Sequence, residues 1–232
     1  MIEHVFSAAG LAETHGDLVR NIVSIRVSQD LFDDLSPDPQ DWNSAIELER
    51  STKPAVFSSH VPVIDRPFEE AIWNDAINYP FTHWMRSRFS DGSYGVWYGA
   101  DGIETTIHET AFHWRSGFLR DAGYLQPGIT IERKIYQVRC DAALVDLRLA
   151  AQRFPSLVHP EDYTLPHQVG AKIHREGHPG LVSPSARTLG SVYAVFNPKV
   201  LADPRHAGFL TYSTTRTGIA VEREPGVVLL EI

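Results

Sequence analysis

The 232-residue chain has 43% hydrophobic and 22% charged residues, ordinary values for a folded domain, and no apolar run near the roughly 20 residues a membrane-spanning helix needs. Its formal charge of -8 opposes nonspecific nucleic-acid binding, which takes a broad basic face, but leaves room for one anionic ligand held by a local arginine cluster. A single cysteine, Cys140, excludes an intrachain disulfide and any cysteine-rich zinc site, and fits a reducing, cytoplasmic setting.

The opening "MIEHVFSAAGLAETHG" puts an acid and two histidines where a secretory signal has a basic start and an unbroken apolar segment, so none is expected. A first strand is predicted over "NIVSIRV". The segment "DRPFEEAIWNDAINY" then reads as an amphipathic helix, with Pro67 at its first position and Phe68, Ile72, Ala76 and Tyr79 at helical spacing. A strand follows in "YGVWYG", and after it "DGIETTIHETAFHW" predicts a helix capped by Asp101, with Glu104 completing a capping-box pattern. At about 100° per residue its apolar stripe is Ile103, Ile107, Ala111 and Trp114, whereas Thr105, Glu109, Phe112 and His113 point elsewhere. Further strands are predicted in "GITIERKIYQV", "GSVYAVF", "GFLTYST" and "GVVLLEI", with Cys140 as an inert core thiol on "IYQVRCDA". A helix from near Pro166 to Gly177 stands between them, the glycine taking the left-handed terminal position. Helices that interrupt strands without strict alternation predict an α+β fold, and the absence of repeats or long linkers predicts one domain over 1–232.

Glu109 is the residue to explain. "HETAFH" superficially suggests a zinc helix, but His108 and His113 are five apart, about 140° round the helix, and the H-E-x-x-H arrangement needs four. A looser series of later histidines, His159, His167, His174 and His178, shares a helical face only at His174 and His178, a pair split by Gly177. No metal site is expected.

Five pieces in order resemble the RES-domain family: Arg26 in the early strand, "RFSDG" from Arg88, Tyr98 ending a strand, Glu109 in the next helix, and "GLVSPSAR" from Gly180 to Arg187 followed by "VYAVF". Tyr98 stands eleven residues before Glu109, and the motifs lie between 22 and 200. The resemblance implies a compact mixed α/β domain similar to ADP-ribosyltransferase toxins. It also implies that NAD+ is a substrate, cleaved at its nicotinamide-ribose bond, with ADP-ribose passed to a protein, phosphate or water and no metal required. It implies a toxin of a bacterial toxin-antitoxin pair, cytoplasmic, partnered by an Xre-type helix-turn-helix antitoxin and homodimeric within that complex. Carried over, the catalytic residues are Glu109, Arg88 and Tyr98, and the NAD-binding residues are Arg26, Arg88, Tyr98 and Ser185. Two positions stay open: Arg20 or Arg66 could stand in for Arg26, which is followed by about sixty residues before Arg88, and Ser183 could stand in for Ser185.

The chemistry suits these residue types. Nicotinamide leaves a cationic bond as a neutral ring, so no general acid is needed, and a carboxylate beside the anomeric carbon can stabilise the oxocarbenium-like ribose. Arginine forks suit a pyrophosphate. No G-x-G-x-x-G follows a predicted strand, which speaks for a consumed dinucleotide and against a Rossmann-bound carrier. Two rival readings are a metal-dependent hydrolase or ribonuclease toxin built from the scattered histidines and aspartates, and a noncatalytic acidic partner-binding module.

Overall fold

The computed structural model describes residues 2–24, 72–124 and 126–232. The elements in order are α1 (Ile2–Ala8), β1 (Gly10–Val23), a π-helical turn (Asn74–Asn78) running into α2 (Tyr79–Thr82), β2 (Trp97–Ala100), α3 (Ile103–His113) with a π-helical extension (Trp114–Leu119), β3 (Thr130–Asp146), α4 (Arg148–Arg153), α5 (Thr164–Arg175), β4 (Gly180–Pro184), β5 (Ser191–Val195), β6 (Leu201–Thr214), β7 (Ile219–Glu224) and β8 (Val227–Glu231). The fold is α+β, a single large sheet with helices packed about it.

The strand order is β1-β2-β5-β4-β3-β6-β7-β8, and an additional β1–β3 pairing bends the first five strands into a ring. The spine is β3. One edge pairs antiparallel with β1 from Gly10↔Asp146 to Val23↔Arg133, and the other serves β6 along most of its length and then β4, in parallel, at Val145 and Asp146. Its alternating burial matches a strand whose residues Tyr136, Val138, Cys140, Ala142 and Leu144 share one core cluster, while Ile135 faces the other side, toward α3. Cys140 is fully buried and its thiol is pushed up to about 11 by desolvation, with Asp141 adding to it, so it stays protonated and unreactive.

Three departures from the sequence reading have physical reasons. First, β1 begins at Gly10, well before "NIVSIRV", because fourteen residues pair with β3 although its exposed face is polar. Second, β4 and β7 are strands that a propensity reading passes over. The first, "GLVSP", is short and carries a serine and a proline, yet it is buried almost throughout because it pairs with β5 over its whole length. Third, Asp101 does not cap α3. The helix starts after Gly102 without a side-chain cap, and the Asp101 carboxylate instead accepts from the Thr105 hydroxyl at 2.9 Å and the Ser191 backbone N–H at 2.7 Å, stitching α3 to β5. Glu104 faces solvent and pairs with His108 at 3.9 Å.

The segment "DRPFEEAIWNDAINY" lies inside the described residues only from Ile72. Its π-helical turn, closed by the Tyr79 N–H on the Asn74 carbonyl, shifts the helical phase. Ala76 and Ile77 are therefore both buried, and Tyr79, expected on the apolar face, is half exposed. The α5 helix ends as its sequence predicts: Gly177 has φ +78°, its N–H bonds the His174 carbonyl and the His178 N–H bonds the Ile173 carbonyl, the two bonds of a Schellman motif. No helix among the described residues is long and apolar enough to cross a membrane.

Candidate active site

A cleft of about 770 Å³ opens where β1, β2, β3 and α3 meet the segment preceding β2. Among the described residues its lining includes Arg20, Arg86, Arg88, Arg133 and Lys134 against two acids, Asp75 and Glu109. A chain with a formal charge of -8 has thus gathered positive charge in one concavity.

Glu109 reaches the cleft from α3. The apolar stripe of that helix, Ile107, Ala111 and Trp114, is buried against Ile135, Leu210 and Tyr212, which turns the opposite face, Glu109 and His113, to the cleft. One carboxylate oxygen, Oε1, accepts from the Ser185 hydroxyl at 2.6 Å and from the Ala186 backbone N–H at 3.2 Å. Ser185 is itself buried, and its Oγ accepts the Arg187 N–H at 3.0 Å and the Thr188 N–H at 3.2 Å. Its one proton and both lone pairs are therefore committed. Between the two serines left open by sequence, Ser185 touches the carboxylate, whereas the Ser183 hydroxyl turns to the Pro184 carbonyl at 3.2 Å.

Arg88 lines the same cleft. Its Nη1 donates to the His159 carbonyl at 2.8 Å, its guanidinium lies 4.7 Å from the Tyr163 ring centroid, and Nη2 is buried without a hydrogen-bond partner among the described residues. The backbone around it is clamped by α5: the His167 Nε2 donates to the Ser87 carbonyl at 2.8 Å, and Gly170 lets the helix approach so closely that a Cβ there would sit 2.1 Å from the Phe89 carbonyl oxygen. Tyr98, on β2, donates its hydroxyl to Ser87 Oγ at 3.0 Å and accepts the Phe89 N–H at 3.0 Å, leaving its ring as cleft wall. Burial pushes its hydroxyl up to about 12, so it is a neutral phenol throughout the physiological range.

Arg26 lies outside the described residues, as does Arg66. The first cleft arginine that the structure describes is Arg20 on β1. Its Nη1 donates to the Tyr98 carbonyl at 2.8 Å, its guanidinium stacks 5.3 Å from the Trp97 ring centroid, and its Nε is buried and unpartnered. Desolvation, and secondarily the positive charge of Arg133, lower it to about 9, so it remains cationic at neutral pH. The two guanidiniums repel one another and have no carboxylate among their described partners.

Arg133 was missed by sequence reading. It donates from Nε to Asn21 Oδ1 and from Nη2 to the Asn21 carbonyl, and lies 5.5 Å from the Tyr212 ring centroid. Asn21 in turn donates to the Tyr212 hydroxyl at 2.9 Å, which also bonds Thr110 of α3 at 2.9 Å. This network ties β1, β3 and β6 to the helix carrying Glu109. Its one sequence signal is a charged residue on the face of β3 that it shares with the apolar Ile131 and Ile135. Arg187, from the "PSAR" tetrapeptide, packs 3.3 Å from the Phe112 ring centroid and donates to the Pro160 carbonyl at 2.6 Å, within electrostatic reach of Glu109.

Among the described residues no three His, Cys, Asp or Glu side chains are grouped to hold a metal ion. The histidines of the looser series have protein partners: the Glu161 and Asp162 N–H groups on His159, Ser87 on His167, and the Tyr94 ring stacked 4.1 Å from His174.

No curated protein sequence matches the chain. Among solved structures it is similar to the toxin-antitoxin complex MbcT-MbcA of M. tuberculosis, at 11% identity and a TM-score of 0.47 over 89% of this chain and 91% of that one. The RES-domain profile matches residues 63–215, more than half of the chain and a stretch that contains Arg88, Tyr98, Glu109 and Ser185 while leaving out Arg20 and Arg26. The chain belongs to the RES-domain family.

Proposed function

We propose that this protein is an NAD+-cleaving toxin of a toxin-antitoxin module, breaking the nicotinamide-ribose bond and passing ADP-ribose to a protein, phosphate or water. The observation that carries the reading is the fixed Glu109 carboxylate, held on one oxygen by Ser185 and Ala186, at the wall of a cleft that also presents Arg20, Arg88 and Arg133.

In this reading Arg88, Arg20 and Arg133 meet the pyrophosphate, with Arg20 taking the part that the family pattern gave to Arg26. Tyr98 presents its ring to the nicotinamide or ribose. Glu109 keeps Oε2 for the ribose 2′-hydroxyl or for the positive charge that grows at the anomeric carbon. Nicotinamide departs with the bonding electron pair as a neutral ring, so the site has no need of an acid, and the single carboxylate supplies the charge that the transition state lacks. Removing it is expected to lower the rate on the order of a hundredfold, or about 3 kcal/mol. Ser185 acts through Glu109, since its proton is already given to that carboxylate. The ADP-ribosyltransferase-like character of the domain, an Xre-type antitoxin as partner, a homodimer in that complex and a cytoplasmic site of action belong to the same proposal, resting on family membership.

The test is release of nicotinamide from NAD+ by purified, antitoxin-free protein, with phosphate and cell extract as separate additions. Turnover indifferent to a chelator and lost in Glu109→Gln supports the reading; no turnover under any addition contradicts it.

A further inference from the structure

His113 lies one helical turn beyond Glu109 on α3, and both line the cleft. Unlike His15, His159 and His167, whose ring nitrogens are engaged by Asp141, by backbone N–H groups and by the Ser87 carbonyl, its ring nitrogens have no hydrogen-bond partner among the described residues. Its only ring contact among them is edge-on with Phe112 at 5.6 Å. Solvent reaches the ring. An unengaged imidazole beside the reacting carboxylate is placed to handle a proton.

The groups facing it come from four directions. Glu109 is on its own helix, Arg187 comes from the β4–β5 loop, Arg88 from the segment before β2, and Arg133 from β3. Desolvation lowers the His113 pKa from the ordinary 6.5, Glu109 opposes the shift, and the three arginines add to it. At neutral pH the ring is therefore the free base, able to accept a proton.

We propose, on the basis of the NAD+ reading above, that His113 is the general base of the transfer step and takes the proton from the oxygen nucleophile that replaces nicotinamide. The bond between the anomeric carbon and the pyridinium nitrogen breaks, its electron pair neutralising the departing ring. A lone pair of the water or hydroxyl oxygen forms the new bond to the anomeric carbon. The O–H proton passes to the imidazole nitrogen, and the resulting imidazolium returns it to solvent. Glu109 is thereby left ionised, free to stabilise the ribose cation throughout. Electrostatics favour this division of labour, because an imidazolium formed among three guanidiniums is readily deprotonated again.

The expected consequence depends on the acceptor. A hydroxylic acceptor has a proton to lose and azide has none, so only the first needs the base. With water or methanol, His113→Gln should lower kcat about a hundredfold and abolish the fall in kcat/KM expected of wild type on the acid side of the ordinary imidazole range. With azide, the same variant should approach wild-type rates of nicotinamide release. Calorimetric NAD+ binding and a circular-dichroism spectrum matching wild type show that the site is intact, and His113→Asn serves if the glutamine variant does not fold. Equal losses with water and azide, or no loss with either, overturn the role of His113 while leaving the NAD+ reading in place. Wild-type protein that releases no nicotinamide with any acceptor overturns both.

Discussion

The Ser185 hydroxyl gives its only proton to Glu109 Oε1 across 2.6 Å while accepting two backbone N–H groups of its own loop. The hydroxyl thus locks the β4–β5 loop and orients the carboxylate at once. Ser185→Ala should leave the Arg187 and Thr188 N–H groups and one carboxylate oxygen short of a partner, lowering stability by about 1–2 kcal/mol. It should also lower kcat about tenfold with little change in KM, because the carboxylate loses its aim and no substrate contact is removed. A thermal melt beside steady-state kinetics checks both; a rise in KM at constant kcat would mean that the hydroxyl binds substrate directly.

Arg20 has an unpartnered buried Nε and a like-charged neighbour in Arg133. Replacing it by methionine removes a desolvated charge and its repulsion. Arg20→Met should therefore raise stability by about 1 kcal/mol and weaken NAD+ binding by at least about tenfold, the difference of a charge-assisted hydrogen bond to a phosphate. Denaturant midpoint and calorimetric affinity should move in opposite directions. A loss of both would show that the guanidinium is structural.

Gly170 is where α5 touches the Arg88–Phe89 backbone. A methyl group there would meet the Phe89 carbonyl oxygen at 2.1 Å and its carbon at 2.9 Å, both backbone atoms that cannot swing aside. Gly170→Ala should cost about 2 kcal/mol or more as an overpacking substitution, and at permissive temperature should raise KM through displacement of Arg88. Gly117, with nothing within 4 Å of the same added carbon, is the control and should tolerate alanine.

How much of this was legible in sequence follows from how local each signal is. Glu109, Tyr98 and Arg88, singled out through the family pattern, lie on α3, β2 and the segment just before β2, near enough along the chain to share one cleft wall. The end of α5 at Gly177 was equally readable, since a left-handed residue after a helix is a local demand. Ser185 needed the family pattern, because nothing in "PSAR" says that its hydroxyl will meet a carboxylate 76 residues earlier. Arg20 was readable only as an alternative to Arg26, and Asn21 and Arg133 not at all, for a different reason: their placement depends on the fourteen-residue register between β1 and β3, a tertiary pairing with no local mark. Asp101 shows the converse. Its sequence suits a helix cap, but a tertiary demand, the Ser191 N–H and the Thr105 hydroxyl, took the carboxylate.

The network from Arg133 through Asn21 and Tyr212 to Thr110 braces α3 against the sheet. Tyr212→Phe removes the hydroxyl at its centre and leaves Asn21 and Thr110 each short of one bond. The expected loss is about 1–2 kcal/mol of stability with a smaller effect on activity than Glu109→Gln, read by thermal unfolding and nicotinamide release.

The most direct test of the account is nicotinamide release by wild-type protein and by Glu109→Gln, compared at equal fold content and with saturating NAD+. The account predicts robust release by the wild type, unaffected by chelator, and a loss on the order of a hundredfold in the variant with NAD+ affinity nearly unchanged. Equal release by the two proteins, or none by the wild type in buffer, phosphate or cell extract, would contradict it.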